Sequence, residues 1–162
     1  MKKTFCITFI AVLISACAST NNANLPQQMT SLVKKAWKEK DFRVVVDEMM
    51  PQRYYSRTIL SYYDMHVKDG ILDSNLPYFG QVQVPSAYTA FPKGLNFTEE
   101  IREYVAVDNL DKRTVEIQML VKNEEDSYLY NVRIFYDGKA EIMVKPQKRD
   151  YIRFRGELIE NN

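Results

Sequence analysis

The feature that most constrains this chain is a strict period of two in its second half. Val115, Ile117, Met119 and Val121 alternate with polar residues, and so do Tyr128, Tyr130, Val132 and Ile134. Alternation of this kind places every second side chain on one face of a strand. The turns fix how the strands pair, because a slip of one residue moves the whole apolar set to the wrong face. Taking Asn123 to Asp126 as a four-residue loop sets Val121 against Tyr128 and Ile117 against Val132. At Tyr136-Asp137-Gly138, a two-residue Asp-Gly loop would set Ile134 against Glu141. A three-residue loop sets Val132 against Ile142 and Tyr130 against Val144, with Gly138 left-handed in a bulge, and is preferred. Ile152, Phe154 and Leu158 continue the same face on a last strand.

The first half is less regular. Leu25, Met29, Leu32, Val33, Ala36 and Trp37 fall at helical spacing, with Pro26 suited to a first turn. They predict a helix from about Pro26 to Lys40. Its other face carries Lys34, Lys35, Lys38 and Lys40. That face suits anionic headgroups, but a solvated charge face is the commoner meaning of such a pattern. From Phe42 the period becomes two again. Asp69-Gly70 is a two-residue hairpin turn that pairs Val67 with Leu72, Met65 with Ser74 and Tyr63 with Leu76. Phe97 to Val107 fits a helix through Phe97, Ile101, Tyr104 and Val105, and partly fits a strand; strand is preferred. The fold class is mainly β (α+β). It is an antiparallel meander of about eight strands, a curved sheet or sandwich, with one N-terminal helix.

The N-terminus predicts an address. Lys2 and Lys3 precede an apolar run, Phe5 to Ile14, that is too short to span a bilayer. Residues 1–16 are read as a signal peptide. Leu13-Ile14-Ser15-Ala16-Cys17 has the form of a lipobox, with Cys17 lipidated. Residues 17–25 are the acylated cysteine and a polar tether, and 26–162 form a single globular domain. The alternative is cleavage at Ala16-Cys17-Ala18 and secretion of a soluble protein. Ala18 is not the aspartate of inner-membrane retention, and no acidic run follows. The expected location is therefore the periplasmic side of the outer membrane.

Chemistry is excluded more readily than assigned. The chain has 22 Lys and Arg against 21 Asp and Glu. Loss of Lys2 and Lys3 leaves it near neutral, without the basic excess of a nucleic-acid binder. Of the two cysteines, Cys6 leaves with the signal and Cys17 carries lipid. No thiol remains for a disulfide, a metal or a nucleophile. The single histidine, His66, lies opposite Tyr63, Met65 and Val67, and is expected at the surface. No catalytic triad, zinc set, phosphate loop or cofactor motif is present, so no cofactor or metal is assigned. Glu99, Glu103, Asp108 and Asp111 are the carboxylates a glycan hydrolase would need to pair.

Aromatics crowd the first half. Tyr78, Phe79, Tyr88 and Phe91 are the candidate ligand platform, although aromatics are more often core. Arg149, Arg153 and Arg155 are the candidate anion patch. The stretch Leu76-Pro77-Tyr78-Phe79-Gly80 is read as a corner, since Pro77 cannot donate to a ladder and Gly80 permits a bend. A positive φ at Gly80 would make it intolerant of substitution.

With these segments placed, the chain resembles DUF4251, a family of exported or lipid-anchored Bacteroidetes domains of unknown function. The resemblance runs from about Lys34 to Glu160. It rests on MMPQR (49–53), YDMHVKDGILDSNLPYFGQV (63–82), GLNF (94–97) and KRDYIRFRGEL (148–158). It implies a single exported domain and brings no catalytic residues. The function expected is a cell-envelope lipoprotein acting as a non-catalytic binding or accessory module. It would meet the membrane through its anchor and bind no nucleic acid. The alternative is a glycan hydrolase using paired carboxylates.

Overall fold

The computed structural model describes residues 25–81 and 94–160. Cys17, Tyr88 and Phe91 lie outside them, as does the predicted signal segment. One helix, α1 (Leu25–Glu39), precedes nine strands: β1 (Phe42–Pro51), β2 (Arg57–Thr58), β3 (Asp64–Lys68), β4 (Ile71–Leu76), β5 (Leu95–Asn109), β6 (Thr114–Lys122), β7 (Ser127–Phe135), β8 (Lys139–Pro146) and β9 (Ile152–Ile159). All strand pairings among the described residues are antiparallel, and from β3 to β9 each strand pairs with the next. The curved meander expected from the sequence is therefore present.

It also closes. β1 pairs with β3 on one side and with β9 on the other, so the sheet becomes a barrel. β2 sits on β1 outside the ring. Closure removes the sheet edges where β1 meets β9. A bulge at Asp47, between Val46 and Glu48, bends β1 to meet β9.

The registers follow the turns. Val67 pairs with Leu72 and Met65 with Ser74 across Asp69-Gly70. Val121 pairs with Tyr128 and Ile117 with Val132. Val132 pairs with Ile142 and Tyr130 with Val144, and Gly138 has φ 90° in its three-residue turn. The inward residues fill the barrel with side chains. Phe42, Met65, Leu72, Leu76, Ile117, Tyr130, Ile142 and Phe154 are all fully buried. At depth, the Tyr130 hydroxyl meets Ser74 Oγ at 3.0 Å, and Ser74 donates to the Leu95 carbonyl at 2.7 Å. These bonds remove the desolvation cost of two buried hydroxyls.

α1 packs on one end of the barrel through buried Val33 and Ala36. Thr30 Oγ1 donates to the Tyr136 carbonyl at 3.3 Å, and Tyr104 donates to the Trp37 carbonyl at 3.4 Å. The lysine face is less free than its pattern suggests. Lys34 stands over Tyr136, Lys38 over Trp37 and Lys40 over Tyr104, and Lys35 pairs with Glu39 at 4.0 Å.

His66 faces outward as expected, but it is only 18% exposed. Arg43 Nη2 lies 3.3 Å from its Nδ1, and Asp41 lies 3.7 Å from its Nε2. The charged neighbours on β1 and before it cover the ring.

Candidate functional site

The aromatic corner is held by the polar turn before β9. Tyr78 is 9% exposed and donates to the Asp150 carbonyl at 2.8 Å. Burial pushes the Tyr78 phenol up to about 12, against the opposing pull of Arg149. Arg149 is buried with its guanidinium 4.9 Å from the Tyr78 ring. It donates to the Tyr128 hydroxyl at 2.8 Å and lies 4.0 Å from Asp126. Asp126 also accepts from the Ser127 and Lys148 amides. Asp150 is bound by Arg53 at 3.0 Å and by the Gln81 amide at 3.3 Å. Phe79 meets the Tyr54 ring edge-on at 4.6 Å, under Arg57 at 4.4 Å.

Apart from Asp150 Oδ1, which is buried without a hydrogen-bond partner, these groups engage one another, which is the behaviour of a fold-defining network. Gly80 is not in the left-handed region. Its constraint is steric: a Cβ there would stand 2.5 Å from the Tyr78 hydroxyl and 3.3 Å from Asp150 Cβ.

The three arginines of the sequence patch do not converge. Arg149 is sealed in the corner, whereas Arg153 and Arg155 project from the outer face of β9. That outer face carries the more informative geometry. A trough of about 540 Å³ crosses it, lined by residues of β1 and β5 to β9. Strand register builds it from two rows. The first row reads Val107, Glu116, Arg133, Glu141, Arg155, Glu48. Its charges alternate and pair throughout. Arg133 lies 3.4 Å from Glu116 and 3.5 Å from Glu141; Arg155 lies 3.6 Å from Glu141 and 3.2 Å from Glu48. The row is nearly neutral, and opposite-charge neighbours support the sheet modestly.

The second row reads Val105, Gln118, Asn131, Met143, Arg153, Met50. Gln118 donates to Asn131 at 3.2 Å, and Asn131 Nδ2 has no hydrogen-bond partner. Arg153 is the one cation in this row, and among the described residues no ion pair engages it. The row therefore presents amide, thioether and apolar contacts around one uncompensated guanidinium.

Sequence reasoning found Arg153 and Arg155 but missed Glu116, Gln118, Asn131, Arg133 and Glu141. The signal was present. The turn registers that set Ile117 against Val132 and Val132 against Ile142 also set Glu116 against Arg133 and Arg133 against Glu141. Glu48 had no such signal, because its partner lies across the barrel closure.

The hydrolase carboxylates are dispersed. Glu103 and Asp111 are exposed, and Asp108 accepts from the Tyr136 hydroxyl at 2.5 Å. Glu99 lies with Glu124 and Glu125 at a separate open cavity beside the β6–β7 turn. Among the described residues, no group of three or more His, Cys, Asp or Glu could hold a metal ion.

Comparison with known proteins gives a consistent picture. Residues 24–158 match the model of the domain of unknown function DUF4251. No curated protein matches the chain. A crystal structure of a DUF4251 family protein from Bacteroides eggerthii DSM 20697 is similar, with a TM-score of 0.64 at 11% identity. The match covers 82% of this chain and 87% of that one. At that identity the likeness is one of fold.

Proposed function

The chain belongs to the DUF4251 family, and from that premise we propose that it is an exported, non-catalytic binding module of the cell envelope. Its ligand surface is the trough across β5 to β9 and β1. The observation that carries this reading is the second row, where Arg153 stands unpaired among amides and thioethers. An elongated polar chain bearing a negative group suits it. A carboxylate would give Arg153 the fork-shaped partner it lacks. The barrel interior is filled by its own side chains, so the outer face is the better place for a ligand. Binding is favoured over hydrolysis because Arg133 and Arg155 neutralise the trough's glutamates.

The address rests on the N-terminal sequence. Lys2, Lys3, the apolar run and Ser15-Ala16-Cys17 support export and lipidation of Cys17. The tether then holds the barrel at the periplasmic face of the outer membrane. Two experiments test the two parts. Cys17→Ala abolishes incorporation of labelled fatty acid; continued labelling overturns the anchor. Titration with oligogalacturonate and with a neutral oligosaccharide of equal length tests the trough. Arg153→Ala should weaken the charged ligand by about tenfold and leave the neutral one unchanged. Equal affinity of wild type and variant for the charged ligand removes Arg153 from the site.

A further inference from the structure

β5 changes neighbours halfway along its length. Its first part, Leu95 to Glu100, pairs with β4, whose first residue, Ile71, lies opposite Glu100. From Ile101 onward β5 pairs only with β6. The Ile101 amide makes the last bond on the β4 side, to the Gly70 carbonyl at 2.8 Å. Beyond it, among the described residues, no strand and no backbone hydrogen bond meets that side of Arg102 to Asn109. Among the described residues, this part of β5 is therefore a free edge above the β3–β4 hairpin. Val105 and Val107 face outward along it, 57% and 58% exposed, and Leu110 follows at 66%. A free edge with exposed β-branched side chains is a template for strand addition.

We propose that a second copy of this chain adds to this edge, β5 against β5, antiparallel about a two-fold axis at Ala106. The segment is self-complementary in that register. Val105 faces Val107 of the partner subunit, and Val107 faces the partner's Val105. Glu103 faces Asn109 of the partner subunit, and Tyr104 faces the partner's Asp108. No like charges meet, whereas an axis at Glu103 would oppose two carboxylates. In this register the outward valines meet across the axis and no like charges oppose, which suits a second copy as the partner.

The pairing also bears on the trough. Val105 and Val107 form its β5 wall, so the partner's outer face continues the surface beyond them. The contact is small, and an interface of one strand is weak in free solution. Confinement of two anchored copies to one membrane raises their effective concentration. The dimer itself does not depend on what the trough binds.

Sedimentation equilibrium of the purified chain, carried from micromolar to millimolar concentration, tests the pairing together with amide hydrogen exchange. The expected result is a rise from one chain mass to twice that mass. Protection of the Arg102 to Asn109 amides should appear with it and be lost on dilution. Val105→Lys combined with Val107→Lys places four ammonium groups across the axis and should hold the chain monomeric. Both positions are exposed, and an unchanged thermal melt verifies the variant's fold. A chain that stays monomeric to millimolar concentration overturns the proposal. So does edge protection that persists in the monomer, which would assign the edge to a segment of the same chain. Either result leaves the Arg153 titration unaffected, so failure here is distinguishable from failure of the binding reading.

Discussion

Gly156 and Gly80 are constrained by neighbours rather than by φ. Gly156 on β9 lies opposite Val46, where β1 crosses to close the barrel. A Cβ at 156 would collide with the Val45 carbonyl oxygen and with Val46 Cα. Both obstacles are backbone atoms of a paired strand, so neither can turn aside. Gly156→Ala should destabilise by about 3 kcal/mol, near the upper end for overpacking, measured by denaturant unfolding. A loss below about 0.5 kcal/mol, the scale of a tolerant surface site, would show that β9 is not held so closely to β1. At Gly80 the obstacle is the Tyr78 phenol, a side chain that can move at the cost of its bond to Asp150. Gly80→Val should therefore cost about 1–3 kcal/mol, and Gly80→Val combined with Tyr78→Phe should be less than additive. A Gly80→Val protein as stable as the wild type would remove the corner from the stability of the fold. The sequence predicted a corner here, with a positive φ as the possible constraint on Gly80. It did not reveal the steric constraint, because the Cβ clash comes from Tyr78 bending back toward Asp150, seventy-two positions away.

At the scale of elements, hairpins joined by short turns were legible and long-range pairings were not. The β6–β7 and β7–β8 registers followed from matching apolar faces across turns of four and three residues. Ile117, 2% exposed at the centre of β6, is the residue on which those registers converge. It pairs with Val132 and, on the other side, with Ala106. Ile117→Ala should cost about 2–4 kcal/mol, the range for a buried branched side chain. A loss near 0.5 kcal/mol or less would contradict its placement. β5 looked ambiguous for a physical reason. A bulge at Arg102 puts two exposed residues, Arg102 and Glu103, in succession and reverses which positions face inward. The inward set becomes Leu95, Phe97, Ile101, Tyr104 and Ala106. The step from Ile101 to Tyr104 breaks the period of two and imitates a helix. A strand with a bulge and a short amphipathic helix present the same local signal.

For the molecule as a whole, closure of the sheet was the hidden fact, since no turn connects β1 to β9 and no register could be counted between them. Closure, the capping helix and the turn before β9 cover three tyrosines, Tyr104 partly buried and Tyr78 and Tyr130 buried, whose chemistry gives a global test. Burial pushes the Tyr104 and Tyr78 phenols up to about 12, and pushes Tyr130 higher still despite its bond to Ser74. In the unfolded chain a tyrosine ionises near its ordinary value of about 10. The folded chain thus retains protons that the unfolded chain has released. Their contribution is complete below about pH 10 and is lost as pH rises toward the folded values. Each tyrosine steepens the decline by at most about 1.4 kcal/mol per pH unit. Denaturant midpoints should therefore hold steady up to about pH 9 and fall between about 10 and 12. Tyr104→Phe discriminates this mechanism from general alkaline damage. It removes the bond to the Trp37 carbonyl, costing about 1 kcal/mol at neutral pH, but it also removes one titrating group. Its midpoint should start lower and then fall less steeply than the wild type's, so the two curves converge at high pH. Parallel curves would mean that the Tyr104 hydroxyl is not buried between β5 and α1, and that the helix does not seal this end of the barrel.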